Sequence, residues 1–231
     1  MVSISFVLGT RPEIIKLAPV ILEAQRRKTS FNLIHTGQHY DVEMSEQFLE
    51  SMNIPTPDVN LKVKSSVLHT QLGEMVKKLG NYFKINRPLI VLAVGDTISV
   101  LAAALASTQN AIPFGHIEAG LRSYDNTMPE EINRRLADSI STLHFTPSRK
   151  AVLNLLNEGI EPSRIFNTGN TIVDAIRIYS SMLSDKNTKQ ADKILQEVKG
   201  DYSICTIHRV SNVENKENLL EIIQALEYFR G

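Results

Sequence analysis

The fold turns on residues 88–107, PLIVLAVGDTISVLAAALAS. Leu89–Val94 is an uninterrupted apolar run opened by Pro88 and closed by Gly95-Asp96-Thr97. A strand buried on both faces reads this way, whereas a half-exposed strand alternates. Thr97–Ser107 then supplies a helix of small residues, able to approach a sheet closely. Strand, short polar turn and helix form half of a parallel crossover unit, and the same sequence of signals recurs on both sides.

Upstream, Ile4–Leu8 reads as a first strand and Thr10 to Ile21 opens a helix, with Pro12 early and Glu13 three positions after Thr10. Asn32–Thr36 is a second strand, a helix is expected over Glu43–Met52, and Val59–Val63 is a short strand. Leu68, Leu72, Met75, Leu79 and Phe83 recur at helical spacing and predict a helix over Ser65–Tyr82. Downstream, Ile112–Ile117, Leu143–Thr146 and Ile165–Thr168 read as strands. Met128–Ser141, Lys150–Glu158 and Val173–Leu183 read as helices. The regular alternation implies an α/β fold, a doubly wound parallel sheet covered on both faces. Residues 184–200 are polar and lysine-rich and read as a crossover linker between domain 1–183 and a second domain beginning at 201. There, Ser203–Ile207 is expected as a first strand and Asn215–Phe229 as a first helix. One strand–helix unit cannot bury both its faces, so residues 201–231 read as the truncated beginning of a second Rossmann-like domain.

The 231 residues are 42% hydrophobic with a formal net charge of +0, enough for a full core and without a global field that would draw nucleic acid or an anionic membrane. One cysteine, Cys205, excludes an intrachain disulfide framework and fits a cytoplasmic location. No run approaches the roughly 20 apolar residues of a membrane helix. The histidines lack metal-ligand spacing, so no metal is expected. Neither a G-x-G-x-x-G turn nor a P-loop is present, and no cofactor is expected.

In open parallel sheets, ligands bind beyond the carboxyl ends of the strands. Four strand ends carry unusual groups here. After the first come Arg11 and Lys16, cations at a helix N-terminus whose N–H groups suit phosphate oxygens. After Leu89–Val94 comes Asp96, either the cap of the next helix or a carboxylate available for proton transfer. After Ile112–Ile117 comes Glu118, which caps no helix and must pair or work. His208-Arg209 closes the strand beyond the crossover.

Gly115–Arg135, GHIEAGLRSYDNTMPEEINRR, concentrates the charge. Thr127 to Glu130 has capping-box spacing, and Glu130–Arg134 and Glu131–Arg135 are i,i+4 pairs, so helix stability alone could account for all four. Glu131 with Arg135 reads as an exposed pair. The inventory suits proton transfer on a phosphorylated or nucleotide-linked substrate.

The motifs GTRPEIIKLAP (9–19), HTGQHYD (35–41), VGDTISVLAAALA (94–106), HIEAGLRS (116–123), MPEEINRRLAD (128–138), HFTPS (144–148) and TGNTIVDA (168–175) resemble the non-hydrolysing UDP-N-acetylglucosamine 2-epimerases, in order. The resemblance implies a glycosyltransferase-B-like fold and a homodimer in polysaccharide biosynthesis. It also implies inversion at C2 of the sugar by elimination and re-addition of UDP through 2-acetamidoglucal. Carried over by motif, Asp96, Glu118, Glu130 and His208 are catalytic positions, with Asp96 as the base. Arg11, Lys16 and Arg134 hold the UDP-sugar substrate. Relatives acting on a UDP-diacetamido uronic acid carry nearly the same motifs. The chain departs from the family at Ser211, where Glu is usual, and at Gln38–Met44, where the bacterial allosteric segment usually reads QHRxMLDQ. Most of the family's C-terminal half is missing, which makes a catalytically silent fragment the competing expectation.

Overall fold

A computed structural model describes residues 4–37, 49–50, 52–63, 65, 67–180, 196, 198, 202–207 and 210–230. Two compact units divide the chain, Met1–Ser184 and Asp185–Gly231. In the first, the buried apolar runs form strands β1 (Ile4–Leu8), β2 (Phe31–His35), β3 (Val59–Asn60), β4 (Ile90–Val94), β5 (Phe114–Ile117), β6 (Leu143–Thr146) and β7 (Ile165–Asn167). They make one seven-stranded sheet in the order β3-β2-β1-β4-β5-β6-β7, every neighbouring pair parallel. The helices are α1 (Arg11–Arg26), α2 (Leu68–Asn86), α3 (Ile98–Gln109), α4 (Pro129–Ile140), α5 (Arg149–Asn157) and α6 (Thr171–Ser180).

The period-2 alternation of strand side chains divides the core into two layers. Phe6, Leu8, Leu33, Leu92, Val94 and Ile117 face α1, whose Ile14, Leu17, Ala18 and Ile21 are fully buried. Val7, Ile34, Val91, Ala93 and Phe114 face the other way, against Met75, Leu79 and Phe83 of α2 and the alanines of α3. Each large side chain buried this way contributes about 1.5–3 kcal/mol. Four alanines at 102, 103, 104 and 106 let α3 lie buried between the sheet and its neighbours.

The strand order reverses between β1 and β4. Connections from those two strands leave toward opposite faces, which opens a crevice at their carboxyl ends. The ion pairs Lys16–Glu118 and Asp96–Arg134 lie at those strand ends.

Two local expectations are corrected, and one of the two roles open to Asp96 falls away. The strand over Val59–Val63 pairs only at Val59–Asn60, alongside Ile34 and His35. Ser203–Ile207 has no regular structure, because a strand needs a neighbour's hydrogen-bond ladder and the described residues of the second unit contain no other strand. Asp96 does not cap α3; Thr97 does, accepting from the Ser99 amide at 3.2 Å. The second unit is described as helices α7 (Val210–Val213) and α8 (Lys216–Arg230), the latter leaving Leu220, Ile223 and Leu226 partly exposed. Most of the expected Glu43–Met52 helix, residues 38–44 and most of 184–200 lie outside the described residues.

Candidate active site

The turn after β1 is closed by Glu13 rather than by Thr10. Thr10 occupies the N-cap of α1 but makes no capping bond with its side chain. Instead the buried Glu13 carboxylate accepts from the Gly9 amide at 2.8 Å and the Thr10 hydroxyl at 2.9 Å. Its other oxygen accepts from the Thr97 hydroxyl at 2.6 Å. Burial raises the Glu13 carboxyl above its ordinary value, and these donors offset part of that. The Gly9 amide, just before the helix N-terminus expected to offer N–H groups to phosphate, is thus taken by the chain's own Glu13 side chain. Arg11 is exposed and makes no hydrogen bond or ion pair among the described residues.

Lys16, on the second turn of α1, reaches across the crevice to Glu118. Lys16 Nζ donates to Glu118 Oε2 at 2.6 Å, with the carboxylate side chain 6% exposed and the lysine 29%. Glu118 follows β5 directly and adopts φ +68°, a left-handed conformation uncommon for a side chain of this size. Gly95, the residue after β4, completes the junction at φ +91°. A Cβ there would lie 3.7 Å from Glu118 Oε2 and 3.9 Å from Lys16 Nζ. Three strand ends therefore meet around one ion pair.

Asp96 hangs from the same turn. Its carboxylate accepts from Arg134 Nη2 and its backbone carbonyl from Asn133 Nδ2 at 3.1 Å. Arg134 Nη1 is held in turn by Glu131 Oε2 at 2.6 Å. Glu131 is fully buried and also accepts from the Ser123 amide at 2.9 Å, the Ser123 hydroxyl at 3.1 Å and the Tyr124 amide at 3.3 Å. Burial pushes the Glu131 carboxyl up, yet the Ser123, Arg134 and Tyr124 donors prevail and hold it below its ordinary value. The expected exposed pair of Glu131 with Arg135 is thus corrected: Glu131 braces Arg134, and Arg135 bonds Asn126 at 3.3 Å. Sequence spacing missed this because Pro129 is the first helical residue and turns Glu131 inward, onto the preceding loop. The expected capping box also fails, since Thr127 donates to Asp125 and Met128 takes the N-cap.

Behind this layer runs a buried chain of charges. His116 Nδ1 lies 2.6 Å from Asp138 Oδ1, and its Nε2 lies 2.7 Å from the Gly95 carbonyl oxygen. Asp138 Oδ2 accepts from the Gly120 amide at 3.0 Å and from Arg122 Nη1 at 2.7 Å. Arg122 continues to Glu158 through Nη2 at 2.5 Å. Desolvation opposes every charge here, but mutual attraction wins: His116 and Arg122 are raised and Asp138 is lowered from their ordinary values.

Of the sequence-nominated residues, the structure brings Lys16, Asp96, Glu118 and Arg134 to the crevice. Glu130 is exposed on the first turn of α4 and makes no hydrogen bond or ion pair among the described residues. His208 lies outside the described residues. Among the described residues, no group of three or more His, Cys, Asp and Glu is disposed to hold a metal. No helix among them is long and apolar enough to cross a membrane.

Known proteins resemble this chain in sequence and fold. The family profile described as UDP-N-acetylglucosamine 2-epimerase matches residues 22–230. The UDP-N-acetylglucosamine 2-epimerase of Methanocaldococcus jannaschii is 42% identical over 224 residues, covering 96% of this chain and 61% of the relative. A crystal structure of that enzyme in complex with UDP-GlcNAc and UDP superposes with a TM-score of 0.89, covering 98% of this chain and 62% of its own. The UDP-2,3-diacetamido-2,3-dideoxy-D-glucuronate 2-epimerase of Pseudomonas aeruginosa is 36% identical over 224 residues, with 95% and 61% covered. A lipopolysaccharide outer core galactosyltransferase, 15% identical at a TM-score of 0.50, shares the glycosyltransferase-B-like fold alone. The chain spans about three fifths of the length of the curated relatives it matches. A profile match over most of the chain and identity above 40% to a relative that shares its fold lead to one conclusion: this chain belongs to the UDP-N-acetylglucosamine 2-epimerase family.

Proposed function

We propose that this chain carries the acid–base half of an enzyme that interconverts UDP-N-acetylglucosamine and UDP-N-acetylmannosamine. The observation that carries the reading is the crevice at the β1/β4 switch point, where Lys16–Glu118 and Asp96–Arg134 converge within a family of 2-epimerases. Asp96 takes the C2 proton as the C1–oxygen bond to UDP breaks, and the electron pair becomes the C1=C2 double bond of 2-acetamidoglucal. Protonation of C2 from the opposite face and return of the UDP oxygen to C1 complete the inversion. Two faces demand two proton carriers, and Glu118 or Glu130 supplies the second. Arg11, Lys16 and Arg134 offset the negative charge that builds on the departing diphosphate, and His208 stays a catalytic position on its motif alone. No cofactor enters this scheme. As part of the same reading, the protein is a cytoplasmic homodimer serving polysaccharide biosynthesis.

The Pseudomonas relative supports a second substrate class, a UDP-diacetamido uronic acid. The length shared with relatives supports a third reading, in which the 231 residues alone bind without turning over.

Incubation in deuterated water followed by NMR separates these readings. The chain is assayed alone and joined to the C-terminal residues of the Methanocaldococcus relative beyond the matched span. UDP-N-acetylmannosamine carrying deuterium at C2 is the expected product; free N-acetylmannosamine with UDP would indicate hydrolysis instead. Turnover of only the uronic acid substrate selects the second reading, and turnover only in the joined protein selects the third. Absence of C2 deuterium in every arm overturns the proposal.

A further inference from the structure

His116 hydrogen-bonds Asp138 and the Gly95 carbonyl, next to both candidate acids in the chain. Its ring is fully buried, stacked on Phe114 with centroids 6.3 Å apart and an interplanar angle of 29°. One nitrogen meets the Gly95 carbonyl oxygen at 2.7 Å and the other meets Asp138 at 2.6 Å. Gly95 immediately precedes Asp96, and Glu118 stands two residues after His116 on the same strand exit. We propose that His116 positions Asp96 and Glu118 relative to one another, by clamping the β4 turn through the Gly95 carbonyl while anchored to α4 through Asp138.

The carbonyl of Gly95 can only accept, so Nε2 carries a proton. The carboxylate of Asp138 receives Arg122 and the Gly120 amide on its other oxygen, which keeps it ionised and an acceptor, so Nδ1 carries a proton as well. His116 is therefore an imidazolium with both donors used. The charged groups around it are Asp138 on α4, Arg122 and Glu158 beyond it, and His144 on β6. Burial holds the His144 imidazole below its ordinary value, and its Nε2 lies 2.8 Å from the Asp138 carbonyl oxygen, so its proton there serves Asp138 and not His116. The β4 exit turns at Gly95, φ +91°, and the β5 exit at Glu118, φ +68°; the His116 bond to the Gly95 carbonyl joins the two beside the backbone bond from the Gly95 amide to the Ile117 carbonyl.

This inference rests on the catalytic reading above, so its test has a readout independent of turnover. In the 231-residue chain labelled with nitrogen-15, both ring nitrogens of His116 are expected to be protonated at pH 7. His116→Gln retains a donor where Nε2 lies, whereas His116→Asn retains one only where Nδ1 lies. The amide resonances of Asp96 and Glu118 should move in His116→Asn and stay close to wild type in His116→Gln. In an epimerase assay, His116→Asn should lower kcat on the order of 100-fold at nearly unchanged KM, with His116→Gln restoring most of it. Should both variants unfold, the wild-type ring spectrum and that of Asp138→Asn still decide. A His116 nitrogen without a proton, or Asp96 resonances indifferent to His116→Asn, overturns the proposal. Lack of turnover alongside the expected spectra overturns only the catalytic reading.

Discussion

Lys16 Nζ and Glu118 Oε2 stand 2.6 Å apart although 102 positions separate them in the chain. Nothing in the local sequence of either residue names the other. The parallel sheet does so, because it brings the carboxyl ends of β1, β4 and β5 to one edge. Lys16→Met leaves a nearly buried carboxylate without its cation. Its expected cost is about 1–2 kcal/mol in stability, read from urea unfolding, together with at least ~100-fold in kcat/KM.

Arg134 serves two carboxylates with two different nitrogens of its planar fork, Asp96 through Nη2 and Glu131 through Nη1. Lysine has one compact head and cannot span both. Arg134→Lys should lose roughly 10-fold or more in kcat, measured by C2 deuterium exchange. Arg134→Met should destabilise by about 2 kcal/mol because the buried Glu131 keeps its Ser123 and Tyr124 donors but loses its cation. The double variant with Glu131→Gln should recover part of that loss, a coupling that chemical denaturation can read.

Glu118 holds a left-handed backbone at φ +68°. That conformation costs an L-residue about 1 kcal/mol and costs glycine almost nothing. Glu118→Gly and Glu118→Ala both delete the carboxylate, and both should abolish exchange at C2. Glu118→Gly should nevertheless be the more stable of the two by about 1 kcal/mol in thermal melts.

Gly120 sits at φ +78°, and a Cβ there would run into the Ala151 carbonyl and lie 3.0 Å from Leu155 Cγ. Backbone cannot yield as a side chain can. Gly120→Ala should cost about 3 kcal/mol and should also displace the Gly120 amide from Asp138, disturbing the buried charge chain.

The charge chain makes stability depend on pH in two directions. Asp138 has a lowered native value, so its contribution is present above the ordinary aspartate value near 3.9 and is lost as pH falls through the lower native one. His116 has a raised native value, so its contribution is complete below the ordinary histidine value near 6.5 and is lost as pH rises through the higher native one. The advantage of wild type over Asp138→Asn should therefore peak between roughly pH 4 and 6.5, at about 3 kcal/mol, and shrink on both sides. Urea midpoints measured across that range check it.

Much of this was legible in the residues. The continuous run Leu89–Val94 announced a strand buried on both faces, and β4 spans Ile90–Val94. The 3.6-residue period of Leu68 to Phe83 announced α2, whose boundaries shifted by only a few residues. Strand-end position alone flagged Lys16, Asp96 and Glu118. What escaped was partner choice. Thr97 outcompeted Asp96 for the α3 cap because a hydroxyl can accept from Ser99 and donate to Glu13 at once. Glu131 escaped because helical spacing offered it Arg135, while the fold offered buried amides that no spacing rule contains. Ser203–Ile207 has no strand because a strand is a property of pairs of segments, and the expectation rested on one segment by itself.

The Glu13 bridge also sets a rule for transplantation. A carboxylate that draws one hydrogen bond from a threonine on another connection makes the Gly9–Lys16 segment part of a two-piece cassette rather than a portable motif. Grafted onto another parallel sheet without a hydroxyl at the position of Thr97, the segment would carry a buried acid short of a donor, and the basic loop would lose its alignment. Anyone recombining these domains should cut outside both connections or move them together.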